Sequence, residues 1–186
     1  MAKVNEFKLY FRKSSFKKDI FNANKFLELI LHHKPKNFLE VGVLEGVTAR
    51  NVCEILSKVH INSFTYTGID LFGIDQFENN NIEFTPITKK FSNPFKYIYF
   101  KYILKLNPNS VEAVNHLLKK FNKSVEIHKG YSHVILKKIN ISKYDFVFLD
   151  GGHSYETVKE DLNIILKKIK KNSIILCDDY NMLNYG

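Results

Sequence analysis

Apolar residues along the chain switch between a helical spacing and short continuous runs. Residues 20–33 place apolar side chains near every third or fourth position, which predicts an amphipathic helix that ends before Pro35. Short apolar runs, most of them ending at glycine or aspartate, predict strands. The predicted strands are residues 37–42, 64–70, 125–129, 144–150 and 173–177. The predicted helices are residues 20–33, 46–58, 110–121, with Ser110 as N-cap, 132–139 and 155–169.

This alternation predicts the fold class. Strands that alternate with helices are joined by right-handed crossovers and form a parallel sheet with helices on both faces. Residues 146–149 and 174–177 are almost wholly apolar, which favours burial on both faces. The chain of 186 residues is therefore expected to form one α/β domain, 1–186, with a doubly wound, mostly parallel, Rossmann-like sheet.

Residues 71–107 interrupt the alternation. This segment is too long for an ordinary connection, which has about 4–6 residues, and we interpret it as an irregular insertion or a lid. It contains an aromatic cluster between Phe91 and Tyr102, which favours local core, with an acceptor pocket as the other interpretation.

Composition limits the classes of partner. The net charge of +9 suggests nucleic acid, but only Arg12 and Arg50 are arginines, so a solvated lysine surface is the favoured explanation. Cys53 and Cys177 have no paired spacing and are expected to be reduced and buried. No apolar run of about 18 residues and no signal-peptide pattern occurs, so we expect a cytoplasmic protein with no membrane partner.

Acidic residues cluster where the predicted strands end. The turn after the first strand has the spacing ExGxxxG, from Glu40 through Gly42 to Gly46, with Glu45 inside it. A glycine turn before a helix exposes backbone to a ligand, and these carboxylates would repel a diphosphate but suit a cation with an amino group and a sulfonium. Asp70 lies 24 residues beyond Gly46, where a carboxylate commonly holds ribose hydroxyls.

These motifs resemble a known family. FLEVGVLEGVT is similar to motif I of the class I S-adenosylmethionine (SAM)-dependent methyltransferases, and YTGIDLF is similar to their next acidic motif. YDFVFLDGGHSYETVKEDL followed by IILCDDY resembles the branch with macrocin-type sugar O-methyltransferases and cephalosporin-hydroxylase-like proteins. The resemblance implies SAM-binding roles for Glu40, Gly42, Gly46, Asp70, Leu71, Gly130, Tyr131, Ser132 and Asp150.

The same resemblance implies the catalytic groups. Asp150, Asp178 and Asp179 would bind Mg²⁺, a cation that relieves the repulsion between converging carboxylates. His153 would be the general base beside Asp150. Other interpretations remain open: Asp150 as a helix cap, Asp178 and Asp179 as a solvated turn, and His153 as a structural histidine.

Two departures from the family pattern affect the functional prediction. Leu44 stands where motif I usually has its middle glycine, and the sequence stops soon after the fifth strand, where class I enzymes usually add two more. The leading hypothesis is O-methylation of a small molecule or a sugar hydroxyl. The alternatives are a catalytically incomplete SAM-binding module and a nucleic-acid methyltransferase, which DGGH in place of an (N/D)PPY-type motif disfavours.

Overall fold

Five parallel strands form the centre of the protein. The computed structural model describes residues 3–10, 19–73, 94–152 and 154–178. The strands are β1 (Asn37–Val41), β2 (Thr65–Asp70), β3 (Val125–Lys129), β4 (Phe146–Leu149) and β5 (Ile174–Cys177). Their order in the sheet is β3-β2-β1-β4-β5, and every neighbouring pair is parallel. The chain therefore reverses its direction of growth between β1 and β4, which confirms the predicted doubly wound fold.

Helices cover both faces of this sheet. They are α1 (Ile20–His33), α2 (Val47–Val59), α3 (Pro94–Ile98), α4 (Val111–Leu117), α5 (Ser132–Lys138) and α6 (Tyr155–Leu166). A π-helical segment, Tyr99–Leu104, continues α3 directly, and short 3₁₀ turns occur at Val4–Glu6, Lys119–Phe121 and Ile141–Lys143. Ser110 caps α4 as predicted, because its Oγ accepts a hydrogen bond from Ala113 N at 3.2 Å.

Alternating side chains of the strands divide the core into two layers. Phe38 on β1 and Phe146 on β4 point to the face covered by α1 and α2, and their rings stack 5.0 Å apart. Leu39 and Val147 point to the other face, where they pack with Ile165 of α6. Because a strand alternates its side chains between faces, each central strand contributes to both layers. These layers hold the ends of β1, β2 and β4 in fixed positions.

The structure corrects three expectations about residues 110–121 and 174–177. The strand at 174–177 is only half-buried because β5 is at the edge of the sheet, and Cys177 is exposed, although both cysteines are free as expected. The helix expected at 110–121 ends at Leu117, and a 3₁₀ turn then brings the buried Phe121 against Phe64.

The aromatic residues between 94 and 104 are not local core, since most of them are exposed; Phe91 lies outside the described residues. In the described part of the chain, no helix is long and apolar enough to cross a bilayer.

Candidate active site

The turn between β1 and α2 is built from left-handed backbone. Gly42, Leu44 and Gly46 have φ values of 94°, 50° and 74°. Gly46 N donates to Val43 O at 2.8 Å, which closes the turn just before α2 begins. An L residue pays about 1–2 kcal/mol for left-handed helical backbone, so Leu44 is strained where a glycine would not be. The structure thus gives a physical reason for the glycine that motif I usually has at this position.

Gly42 is required by close packing against the end of β4. A Cβ atom at Gly42 would lie 1.9 Å from the carbonyl oxygen of Asp150 and 2.7 Å from Gly151 Cα. Gly42 N donates to Ile69 O at 2.9 Å, and Asp150 N donates to Val41 O at 2.8 Å. The ends of β1, β2 and β4 therefore meet at this turn, at the reversal of strand order where ligands bind in open α/β sheets.

Asp70 is bonded to the same turn. Its Oδ2 accepts hydrogen bonds from Val43 N at 2.8 Å and Leu44 N at 2.7 Å, and its Oδ1 accepts one from Phe72 N at 2.8 Å. These bonds use three of the roughly four acceptor positions of a carboxylate and leave about one for a further donor. The nearly buried Asp70 therefore stabilises the strained turn, while the neighbouring Leu71 is partly exposed at the same edge.

Glu40 lies beneath the turn rather than at its surface. Its side chain is buried, and it accepts a hydrogen bond from the hydroxyl of the buried Tyr66. Burial raises the pKa of the Glu40 carboxyl well above its usual range; the bond from Tyr66 opposes this, and the nearby Asp150 and Asp70 carboxylates raise it further. Asp150 and Asp70 thus lie close enough to Glu40 for their charges to disfavour its ionisation.

Sequence reasoning did not identify two residues that support the turn. Tyr66 is the hydrogen-bond donor to Glu40, and Gly68 leaves room for Val43. A Cβ atom at Gly68 would lie 2.7 Å from Val43 Cγ2 and 2.9 Å from Ile127 Cδ1. The interruption of an otherwise β-branched and aromatic strand by glycine was the only available signal, since isolated strand glycines mark close approaches.

The end of β3 reaches the same edge of the sheet. Gly130 N donates to Asp70 O at 2.9 Å, and Gly130 has a φ of 148°, a conformation that other residues rarely adopt. Tyr131 and Ser132 follow at the start of α5, and both are partly exposed. The structure therefore brings Gly130, Tyr131 and Ser132 to the edge that holds Asp70, and their role toward adenine stays a prediction.

Asp150 and Asp178 occupy neighbouring strand ends. Leu149 pairs with Cys177, and Asp178 N donates to Leu149 O at 2.9 Å. Asp150 is not the N-cap of α6, because Ser154 Oγ accepts the capping hydrogen bond from Thr157 N at 3.2 Å. Asp179 and His153 lie outside the described residues. No cluster of three or more His, Cys, Asp or Glu suited to a metal ion occurs within residues 3–10, 19–73, 94–152 and 154–178.

The position of Arg50 does not favour contact between its guanidinium and a phosphate group. Its guanidinium is largely buried, 3.5 Å from the Glu54 carboxylate and 4.7 Å from the centre of the Phe121 ring. Its Nη1 also donates to Leu117 O at 3.3 Å. Because this side chain packs inside the protein, Arg50 cannot contact a nucleic acid without unfolding its surroundings.

Comparison with known proteins gives the family. The sequence profile of a family described as a methyltransferase domain matches residues 39–180, which is most of the chain. The chain belongs to this methyltransferase domain family. No curated protein matches the chain.

Solved structures of methyltransferases share the fold. The SAH-bound methyltransferase PaMTH1 of Podospora anserina is 17% identical, with a TM-score of 0.54 over 84% of this chain and 51% of its own. An O-methyltransferase of Bacillus cereus in complex with SAH is 16% identical, with a TM-score of 0.54 over 84% of this chain and 56% of its own.

The O-methyltransferase TomG of Streptomyces achromogenes, in complex with SAM, is 15% identical, with a TM-score of 0.53 over 84% of this chain and 54% of its own. The present methyltransferase domain thus spans about half the length of these proteins. Its five-stranded sheet has the class I methyltransferase fold, as the resemblance of its motifs implied.

Proposed function

We propose that this chain, as a single domain, binds SAM across the ends of β1, β2 and β3 and transfers its methyl group to a hydroxyl of a small molecule or sugar. The observation that carries the proposal is the bonding of Asp70 to the glycine turn, within a sequence that matches the methyltransferase domain family. One acceptor position of Asp70 is left to bind a ribose hydroxyl.

The electrostatics of the edge favour a cationic ligand. The charges of Asp150 and Asp70 raise the pKa of Glu40, so a further negative charge at this edge meets repulsion. A sulfonium and an ammonium group placed beside them would relieve this repulsion, whereas a diphosphate would increase it. Gly130, Tyr131 and Ser132, at the end of β3, would contact the adenine, and the turn that contains Gly42 and Gly46, just before the start of α2, would contact the methionine portion.

The reaction would be a direct displacement at the methyl carbon. The carbon–sulfur bond breaks while a bond to the acceptor oxygen forms, the sulfur keeps the electron pair, and the hydroxyl proton passes to a base. His153 is our candidate for that base because it follows Asp150 by three residues in the sequence.

The proposal includes a divalent cation that assists the reaction. Asp150 and Asp178 follow paired strands, and carboxylate oxygens are the ligands that Mg²⁺ prefers, so Asp150, Asp178 and Asp179 would hold it. The cation would lower the pKa of the acceptor hydroxyl. Turnover of a catechol and glycan panel that is unaffected by EDTA would remove the metal from the proposal while leaving methyl transfer intact.

Calorimetry with SAM tests the cofactor assignment. We expect Asp70→Asn to raise the Kd for SAM about tenfold or more, because a lost charged hydrogen bond is worth roughly 1.5–3 kcal/mol. Asp145→Asn is the matched control, since Asp145 accepts bonds from Lys36 N at 3.0 Å and Asn37 N at 2.8 Å before β1 begins. This control replaces an aspartate that also bonds the backbone at the end of a strand but lies away from the proposed site.

The two variants give distinguishable results. Asp145→Asn should change the Kd for SAM by less than about twofold, because its carboxylate lies beyond the opposite end of β1 and β4. Equal losses of affinity in both variants, or wild-type binding of NAD rather than SAM, would overturn the cofactor assignment. SAM binding without turnover of any acceptor would support the binding-module alternative.

A further inference from the structure

A continuous helix leaves its apolar side toward solvent. α3 (Pro94–Ile98) and the π-helical segment Tyr99–Leu104 follow each other without a break, and no residue of the π-helical segment is buried. Five apolar side chains along this helix are exposed, and we call the surface that they form the aromatic face. Its members and their exposed fractions are Phe95 80%, Ile98 47%, Tyr99 43%, Tyr102 59% and Ile103 67%.

Among the apolar side chains of this helix, Phe100 and Leu104 are partly buried, whereas the five of the aromatic face are exposed. The apolar stripe of a helix in a globular protein normally packs against the core. Contiguous exposed apolar surface on a folded protein commonly marks an interaction site. The aromatic face therefore calls for a partner that accepts apolar side chains.

The charge around the aromatic face restricts that partner. Residues 94–111 contain three lysines, at positions 96, 101 and 105, and neither aspartate nor glutamate. The Lys101 ammonium lies 5.0 Å from the centre of the Tyr97 ring and 5.4 Å from that of Tyr102, so positive charge borders the apolar stripe directly. The partner must have negative charge at its surface and an apolar interior that accepts these side chains.

We propose that the aromatic face docks on an anionic lipid bilayer. An amphipathic helix with apolar side chains on one face and lysines beside them lies in the plane of a bilayer interface. Tyrosine rings favour the headgroup region, and lysine side chains extend toward the lipid phosphates.

The observations favour a bilayer over two other partners. A second copy of this helix would bring its lysines against like charges. Single-stranded RNA would use stacking rings and arginine, whereas this face contains Ile98 and Ile103 and residues 94–111 contain no arginine.

Vesicle flotation of the full chain tests this proposal. The probes are vesicles of phosphatidylcholine alone and with about 30% phosphatidylserine, at roughly 0.1 M salt. We expect binding to the anionic vesicles only, and a loss of about tenfold in partitioning for the double variant Phe95→Ser, Ile103→Ser. Lys101→Gln with Lys105→Gln should lose about fivefold for each lysine removed.

A double variant elsewhere on the surface controls for general loss of hydrophobicity. Phe21→Ser with Leu166→Ser removes two side chains of similar exposure, 67% and 61%, from α1 and α6. It should bind vesicles as the wild type does. Equal loss in both double variants, no association of the wild type with anionic vesicles, sedimentation as a dimer that only Phe95→Ser, Ile103→Ser disrupts, or RNA binding in place of vesicle binding would each overturn the proposal. The assay needs no methyl donor, so it can fail while the proposed enzymatic function stands, and the reverse.

Discussion

The two motif glycines give a quantitative test of the turn, because their replacement by alanine should have very different costs. In Gly42→Ala the new Cβ would lie 1.9 Å from the Asp150 carbonyl oxygen, whereas a normal carbon–oxygen contact is about 3.3 Å. The ends of β1 and β4 would therefore have to separate by about 1.4 Å. The hydrogen bond from Asp150 N to Val41 O, now 2.8 Å long, would not survive that separation.

Gly46→Ala meets only side chains. Its Cβ would lie 3.0 Å from Val114 Cγ1 and 3.6 Å from Leu117 Cδ2, which can move without disturbing the sheet. In both variants, left-handed backbone at the alanine lowers the free energy of unfolding by about 1–2 kcal/mol. Gly42→Ala adds about 1–3 kcal/mol of overpacking and about 1 kcal/mol for the lost hydrogen bond.

Urea unfolding followed by circular dichroism measures both changes. We expect the free energy of unfolding to fall by about 3–6 kcal/mol in Gly42→Ala and by about 1–2 kcal/mol in Gly46→Ala. A Gly42→Ala protein that does not fold, beside a folded Gly46→Ala protein, agrees with this order. The reasoning is refuted if the two variants lose equal stability, or if Gly42→Ala stays within about 1 kcal/mol of the wild type.

Three further changes test the surroundings of the turn. Leu44→Gly should raise the free energy of unfolding by about 0.5–1 kcal/mol, since it removes left-handed strain from a half-exposed side chain and costs some chain entropy; urea unfolding measures it. Glu40→Gln should reduce the loss of stability as pH rises above about 4.5, measured by urea unfolding at several pH values. Glu40 of the unfolded chain ionises from that pH, whereas the folded protein keeps Glu40 protonated until its higher pKa. The unfolded state is therefore stabilised relative to the folded state as the pH rises. Gly68→Ala should push Val43 outward and weaken SAM binding in calorimetry by several-fold, about 1 kcal/mol.

Each of these expectations has a contrary result. A less stable Leu44→Gly protein would mean that the leucine side chain contributes more than its exposure indicates. If the stability of Glu40→Gln has the same pH dependence as that of the wild type, the pKa of the Glu40 carboxyl is not raised in the folded protein. Unchanged SAM affinity in Gly68→Ala, with normal stability, would show that the turn tolerates movement of Val43.

The sequence by itself determined the order of the main helices and strands and the strand ends that carry the candidate site. Residues 20–33 carry a helical spacing that matches α1, and glycine or aspartate marks the ends of β1 to β4. These signals are local: side-chain periodicity follows backbone geometry, and glycine is selected where φ is positive, as at Gly42 and Gly46. Parallel strands then bring their carboxyl ends to one edge, which is why the sequence predicts that the candidate residues meet there.

Only the tertiary structure decided how those residues are used. Asp70 accepts two hydrogen bonds from the turn, and Glu40 accepts one from Tyr66, 26 residues away. No local sequence pattern indicates these contacts. The half-exposed state of β5 follows from its place at the sheet edge, and the exposure of the aromatic face follows from how the described elements pack. Apolar runs predict which residues can be buried, but burial itself depends on which elements pack on them, and that is a property of the whole fold.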